Sequence, residues 1–202
     1  MTAEQTTALI DCLASCGIRF EAGLTDIEVA EVQEKFGFVF PPDLKQLLQQ
    51  ALPVTKSFVN WRKGLHNIYT ARKIKARMKW PSQCIGFYVE DHSMWLPEWG
   101  DKPIEEAEKL DVVKKNLQSV SKLIPIYSHR YIPAQPSEEG NPVFSVYHTD
   151  TIYYGYDLPN YLANEFLFTL PGIFTRFEGA KEHIEFNKGS GRLIKFWSEL
   201  AT

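Results

Sequence analysis

Apolar residues recur at helical spacing through the first third of the chain. Ile10 and Leu13, with Leu9 beside them, give a helix over Glu4 to Ser15 an inward face, and Gly17 ends it. Thr25 and Glu28 have the Thr-x-x-Glu spacing of a capping box, in which each side chain satisfies the other's free backbone amide. Val29, Val32 and Phe36 continue that second helix, and Gly37 stops it. After the short apolar run Phe38-Val39-Phe40, Pro41-Pro42 opens a third helix that buries Leu44, Leu47, Leu48 and Ala51. A loop carrying Trp61 leads to a further amphipathic helix marked by Ile68, Ala71, Ile74 and Met78.

The pattern then changes. Cys84 to Val89 is expected as a strand, and Pro103 as the start of a helix with Ile104, Ala107, Leu110, Val113 and Leu117 as its apolar stripe. Leu123 to Tyr127 is a short apolar strand whose internal Pro125 favours an edge position or a strand's beginning. Val143 to His148 and Thr151 to Tyr156 alternate with period two around Thr149-Asp150, which predicts a hairpin. Leu158 to Phe166 follows as a helix capped by Asp157. Ile173 to Phe177 and His183 to Phe186 read as strands, and Leu193 to Ala201 as a closing helix. No repeat or linker divides the chain, so helices followed by clustered antiparallel strands imply one α+β domain.

Composition is that of an ordinary globular protein: 44% hydrophobic, 23% charged, and 13% aromatic with five Trp in 202 residues. A formal net charge of −3 argues against direct nucleic-acid binding, which favours an excess of Lys and Arg. The N-terminus lacks the basic start and apolar run of a signal peptide, and no stretch approaches the ~20 apolar residues that span a bilayer. Cys12, Cys16 and Cys84 are an odd, sparse set, unlike a disulfide framework. Together these point to the cytoplasm, without membrane association. Charge comes in blocks. Residues 1 to 43 are acidic, Leu44 to Val89 contains no acid at all, and an acidic run returns from Glu90 to Asp111. Such blocks either neutralise one another across the folded surface or steer a charged partner.

Catalytic motifs are missing: there is no Gly-x-Ser-x-Gly elbow, Walker loop or His-Glu-x-x-His, and Gly189-Ser190-Gly191-Arg192 is too short for a phosphate loop. Glu90-Asp91-His92 is the best local cluster, yet adjacent side chains at a strand's end diverge. Cys12 and Cys16 share a helical face but lack two further zinc ligands, so all three cysteines fit better as small core residues. The cations Arg72, Lys73, Lys75, Arg77 and Lys79 wrap around their helix as a solvated surface would. Arg130, between His129 and Tyr131, can stack on a ring or hold a carboxylate, with support of the Pro133 to Pro142 loop as its main expected task. Tyr153, Tyr154 and Tyr156 cannot all line one pocket, because neighbours alternate across a sheet. Trp95 to Asp101 is the segment richest in binding chemistry. Two Trp flank Leu96-Pro97-Glu98 before an acidic helix, and Trp with surrounding acids is the composition of an interface hot spot aimed at a basic target. The competing reading makes both Trp core staples, and at least one of them fits it better.

Several ordered blocks resemble the SUKH superfamily, named for the Smi and Knr cell-wall regulators of fungi and related bacterial proteins. Gly23-Leu24-Thr25-Asp26-Ile27-Glu28, Phe36-Gly37 and Phe40-Pro41-Pro42-Asp43-Leu44 through Leu47-Leu48 look like its opening signature. Phe58 to Lys63, Trp95 to Gly100, Leu123 to Tyr131, Gly140 to Val146, Tyr153 to Leu158 and Phe196 to Leu200 resemble one bacterial branch. The resemblance covers roughly residues 20 to 200, apart from 167 to 190. It implies a non-catalytic immunity protein, without cofactor or metal, that binds and neutralises a toxin domain with a basic surface, often a nuclease. Trp95, Glu98, Trp99, Asp101, Glu105 and Glu106 are the candidate partner-binding residues. A regulatory scaffold for an unrelated cellular partner ranks second. An enzyme with an unfamiliar constellation of His129, Asp150 or Glu90 ranks third. Oligomeric state is not specified by the sequence.

Overall fold

The computed structural model describes residues 1–91, 94–148, 150–177 and 191–201. Its helices are α1 (Ala3–Ser15), α2 (Asp26–Phe36), α3 (Pro42–Gln50), α4 (Trp61–His66), α5 (Ile68–Asp91), α6 (Glu106–Leu117), α7 (Leu158–Phe166) and α8 (Trp197–Leu200). Its strands are β1 (Phe20–Ala22), β2 (Ala51–Pro53), β3 (Leu123–Tyr127), β4 (Arg130–Pro133), β5 (Val143–Tyr147) and β6 (Asp150–Gly155). Two short 3-10 turns, Pro97–Trp99 and Gly172–Phe177, complete it. The fold is α+β, as the pattern of elements implied.

The four-stranded antiparallel sheet runs in the order β3-β4-β5-β6, and its faces divide the core. Ile124, Ile126, Ile132 and Val143 point to a cluster with Leu9, Leu13, Val32, Leu47 and Leu162. Leu123, Tyr131, Phe144, Val146 and Tyr153 point to a second cluster with Cys84, Ile85, Val113 and Trp197. Alternation along each strand therefore feeds both clusters. It also explains why β3, β4 and β5 are buried almost throughout, whereas many antiparallel sheets leave one face wet. Pro125 sits in an edge strand, where a missing amide costs little.

The helical termini follow the local chemistry. Thr25 and Glu28 form the reciprocal capping box, and Gly37 ends α2 with φ +70°. Pro42 occupies the first turn of α3, and the Asp157 side chain accepts from the Asn160 amide at 2.8 Å. Gly155 admits no side chain: a Cβ there would lie 2.4 Å from Tyr161 Cβ. Trp61 is 2% exposed, and Phe36, Phe38 and Phe40 meet it edge-on at centroid distances of 5.6, 5.5 and 5.4 Å. Such pairs each add about 0.5–1.5 kcal/mol beyond area burial. Trp61 thus belongs to a helix, α4, where the sequence pattern suggests a loop.

Other expectations are corrected. Cys84 to Val89 lies in α5, not in a strand: Cys84, Ile85 and Val89 fall on one helical face and are all buried in the second cluster. Packing overrides β propensity there, and α5 runs through Pro81. The Pro103 helix begins only at Glu106. Ile104 is 90% exposed and Ala107 is exposed as well, while Val113 carries the burial. Gly172–Phe177 is a 3-10 turn, not a strand, and the closing helix shrinks to Trp197–Leu200. Cys16 is exposed rather than core. Residues 183–186, Gly189, Ser190 and His92 lie outside the described residues. No helix among the described residues is long and apolar enough to cross a membrane.

Candidate protein-binding surface

Trp95 to Gly100 forms a closed turn between α5 and α6. Pro97 starts its 3-10 step, the Trp99 amide donates to the Leu96 carbonyl at 3.0 Å, and the Gly100 amide donates to the Pro97 carbonyl at 3.2 Å. Gly100 has φ +79°, a conformation that glycine adopts without a Cβ penalty. Trp95 Nε1 donates to the Gly100 carbonyl at 2.7 Å and so closes the loop on itself. The two indoles meet edge-on with centroids 5.3 Å apart.

The pair divides the two roles between them. Trp99 is 8% exposed and stacks near Phe196 at 6.4 Å within the second cluster, so it is a core staple and not an accessible anchor. Trp95 is half-buried and packs against the margin of the same cluster. Glu98, Asp101, Glu105 and Glu106 are all exposed in the same short segment. Glu106 pairs with Lys109 at 2.5 Å, one turn along α6. Glu98, Asp101 and Glu105 have no ion-pair partner among the described residues. Ile104 stands fully in solvent between Asp101 and Glu105. Half-buried Trp95 and exposed Ile104 thus share one short segment with four exposed carboxylates, and the Trp95–Gly100 part of it is fixed by its own hydrogen bonds. Beneath Glu98 and Trp99 lies a hollow of about 490 Å³, shared with Gln135, Ile194, Lys195 and Phe196.

The other candidates fall elsewhere. His129 and Glu90 line separate hollows. Among the described residues no group of three or more His, Cys, Asp or Glu is placed to hold a metal ion. Arg130 does stack and does hold a carboxylate. Its guanidinium carbon lies 3.6 Å from the Tyr154 ring centroid, Nε donates to Glu165 at 2.9 Å, and Nη1 donates to Ser145 at 3.0 Å. It thereby ties β4 to β5 and α7 and leaves the Pro133 to Pro142 loop to others. Asn141 holds that loop through the carbonyls of Pro133 and Pro136, and Arg192 donates to Asn141 Oδ1 at 2.7 Å.

Sequence reasoning missed the surroundings of Arg77. The cation pattern placed it among solvated charges, but it turns inward beneath Trp80, His129 and Tyr147. The signal was its helical offset: Arg77 lies three residues from Ile74, on the buried side of α5, while Lys75 and Lys79 are exposed.

Comparison with protein-family models, with curated proteins and with solved structures finds no match. The elements define an α+β protein, and the SUKH resemblance rests on the sequence blocks that carry it.

Proposed function

We propose that this chain is a SUKH-like, non-catalytic binding domain, and specifically an immunity protein that neutralises a toxin domain by direct association. The observation that carries the reading is the Trp95–Glu106 segment, where exposed Ile104 and half-buried Trp95 accompany the carboxylates of Glu98, Asp101 and Glu105, which have no ion-pair partner among the described residues. A nuclease cleft must hold phosphates and is therefore basic, so an acidic surface with an apolar centre complements it in both charge and wetting. The carboxylates steer the encounter, and Ile104 with the Trp95 edge supplies desolvated contact. Steric coverage of the cleft then suffices for inhibition, with slow dissociation setting its duration. No cofactor takes part, and the cytoplasm is the compartment in which such a target would do its damage.

Co-expression with the protein encoded next to this chain tests the reading, followed by co-purification and a growth assay. A stable complex that rescues growth is expected. Replacing Glu98, Asp101 and Glu105 by Lys should then slow association at least tenfold at low salt and flatten its salt dependence. If a rescuing complex forms and the triple variant changes neither property, the surface is assigned wrongly. Absence of both complex and rescue would overturn the immunity reading and turn the search to a regulatory partner in native lysate.

A further inference from the structure

Arg77 occupies an unusual electrostatic position. It is half-buried at the base of an open hollow of about 520 Å³ between α5 and the β3–β4 turn. Its Nη2 donates to the Ser128 carbonyl at 2.5 Å and its Nη1 to the Ser57 carbonyl at 3.3 Å. The Tyr131 phenol is a further side-chain partner, and a guanidinium carries five N–H donors, so part of its capacity remains open. All three partners are neutral oxygens, and no carboxylate among the described residues pairs with it.

Its other neighbours among the described residues supply no counter-charge. The Tyr131 and Tyr161 phenols act on it, and burial pushes both above their ordinary range, Tyr131 to about 12, so neither is an anion near neutrality. Burial, with Arg130 and Arg77 close by, pushes His129 below its ordinary value, and Arg130 pairs with Glu165. Burial itself drives the Arg77 guanidinium down from its ordinary value. A partly desolvated cation without an anion is costly to maintain, and the cost is relieved when an anion binds.

The walls of the hollow are aromatic. Tyr147 is 57% exposed, and its ring meets His129 at 5.2 Å and His148 at 4.7 Å. His148 in turn meets Trp80 at 5.6 Å, which completes an arc of four rings from His129 to Trp80. Trp80, His129 and Tyr147 all face the hollow, with Arg77 at its floor. Volumes of this order are typical of small-molecule sites, whose specificity comes from a few polar groups within apolar walls.

We infer that this hollow binds a small aromatic anion, a carboxylate or phosphate carried on an aromatic ring, with the anion on Arg77 and the ring against Trp80 and Tyr147. The free N–H groups of the guanidinium suit the paired oxygens of either anion, and the arc supplies stacking and edge contacts. The site is independent of the acidic Trp95–Glu106 surface, since no residue is shared between them.

Titration of the intact chain by calorimetry, with benzoate, phenyl phosphate and uncharged benzamide as probes, tests the inference. At least one anion should bind, with benzamide about tenfold or more weaker, the margin expected for a charge-assisted hydrogen bond. Preference between the two anions identifies whether carboxylate or phosphate is the native group. Arg77→Gln should abolish the preference for the anion. Because Arg77 also holds two carbonyls, Tyr147→Ala is the companion variant. That side chain is largely exposed, and its loss should weaken ring binding several-fold while the fold persists. Failure of both anions to bind in the millimolar range, equal binding of benzoate and benzamide, or wild-type affinity in a folded Arg77→Gln variant would each overturn the inference.

Discussion

Glu28 stands where three parts of the N-terminal half meet, and its charge gives a measurable signature. Its Oε2 accepts from the Thr25 amide at 2.8 Å, and its Oε1 accepts from Arg62 Nε at 2.5 Å. Arg62 also donates to the carbonyls of Ala22 at 2.9 Å and Gly23 at 2.8 Å, so its side chain joins α2 and α4 to the end of β1. The Arg62 guanidinium hydrogen-bonded to it, helped by Thr25 and opposed by desolvation, holds the Glu28 carboxyl down to about 2 from 4.5. That lowering, from 4.5 to about 2, corresponds to about 3.5 kcal/mol at about 1.4 kcal/mol per pH unit. Both side chains retain some solvent contact, 17% for Glu28 and 26% for Arg62, which screens the pair toward about 2 kcal/mol.

Glu28→Gln isolates that charge, because Gln keeps the reach back to the helix cap. A depressed carboxyl stabilises the fold fully above its unfolded value near 4.5, and the contribution is lost as pH falls toward 2. Urea unfolding of the wild type and Glu28→Gln should therefore differ by about 2 kcal/mol at pH 7, or about 1 M in midpoint. The gap should close steadily between pH 4.5 and pH 2. A gap that stays constant across this range would refute the electrostatic account and leave only packing. No gap at pH 7 would refute the ion pair itself.

Two further predictions rest on burial. Desolvation raises the Asp157 carboxyl to about 6, so its charged form opposes folding, and stability falls as pH rises from 3.8 through 6. Asp157→Asn retains a good N-cap for α7 and should raise the urea midpoint at pH 7, with a flatter stability profile between pH 4 and 7; a lowered midpoint would refute this. Burial also pushes the Cys84 thiol up to about 11, whereas Cys16 is exposed. At pH 8 a disulfide reagent should label Cys16 in the native protein within minutes and reach Cys84 only after unfolding, as peptide mass analysis would report.

Local signals were legible where the responsible groups lie a few residues apart. The Thr25–Glu28 box, the Gly37 terminator, the Pro42 opening of α3 and the Asp157 cap depend on contacts within one helical turn. The hairpin of β5 and β6 is set in the same way by alternation over twelve or so residues. The acidic segment from Glu98 to Glu106 was equally visible, since exposed charge needs no partner to be recognised.

Long-range packing decided the rest. Cys84, Ile85 and Val89 suit a strand by propensity, yet they complete the face of α5 that packs toward β3 and β5. Trp95 and Trp99 are alike in sequence, but only Trp99 meets Phe196, a residue almost a hundred positions away, and so only Trp99 is lost to the core. Arg77 is one more cation in a basic run until the β3–β4 turn supplies Ser128, and the end of β5 supplies Tyr147, to close a hollow over it. Sequence spacing determines which groups share a turn of helix or a face of a strand, because those distances are fixed by backbone geometry. Which of those groups remain exposed, and which lose water without gaining a partner, depends on elements brought together from far along the chain. That was settled only by the tertiary structure.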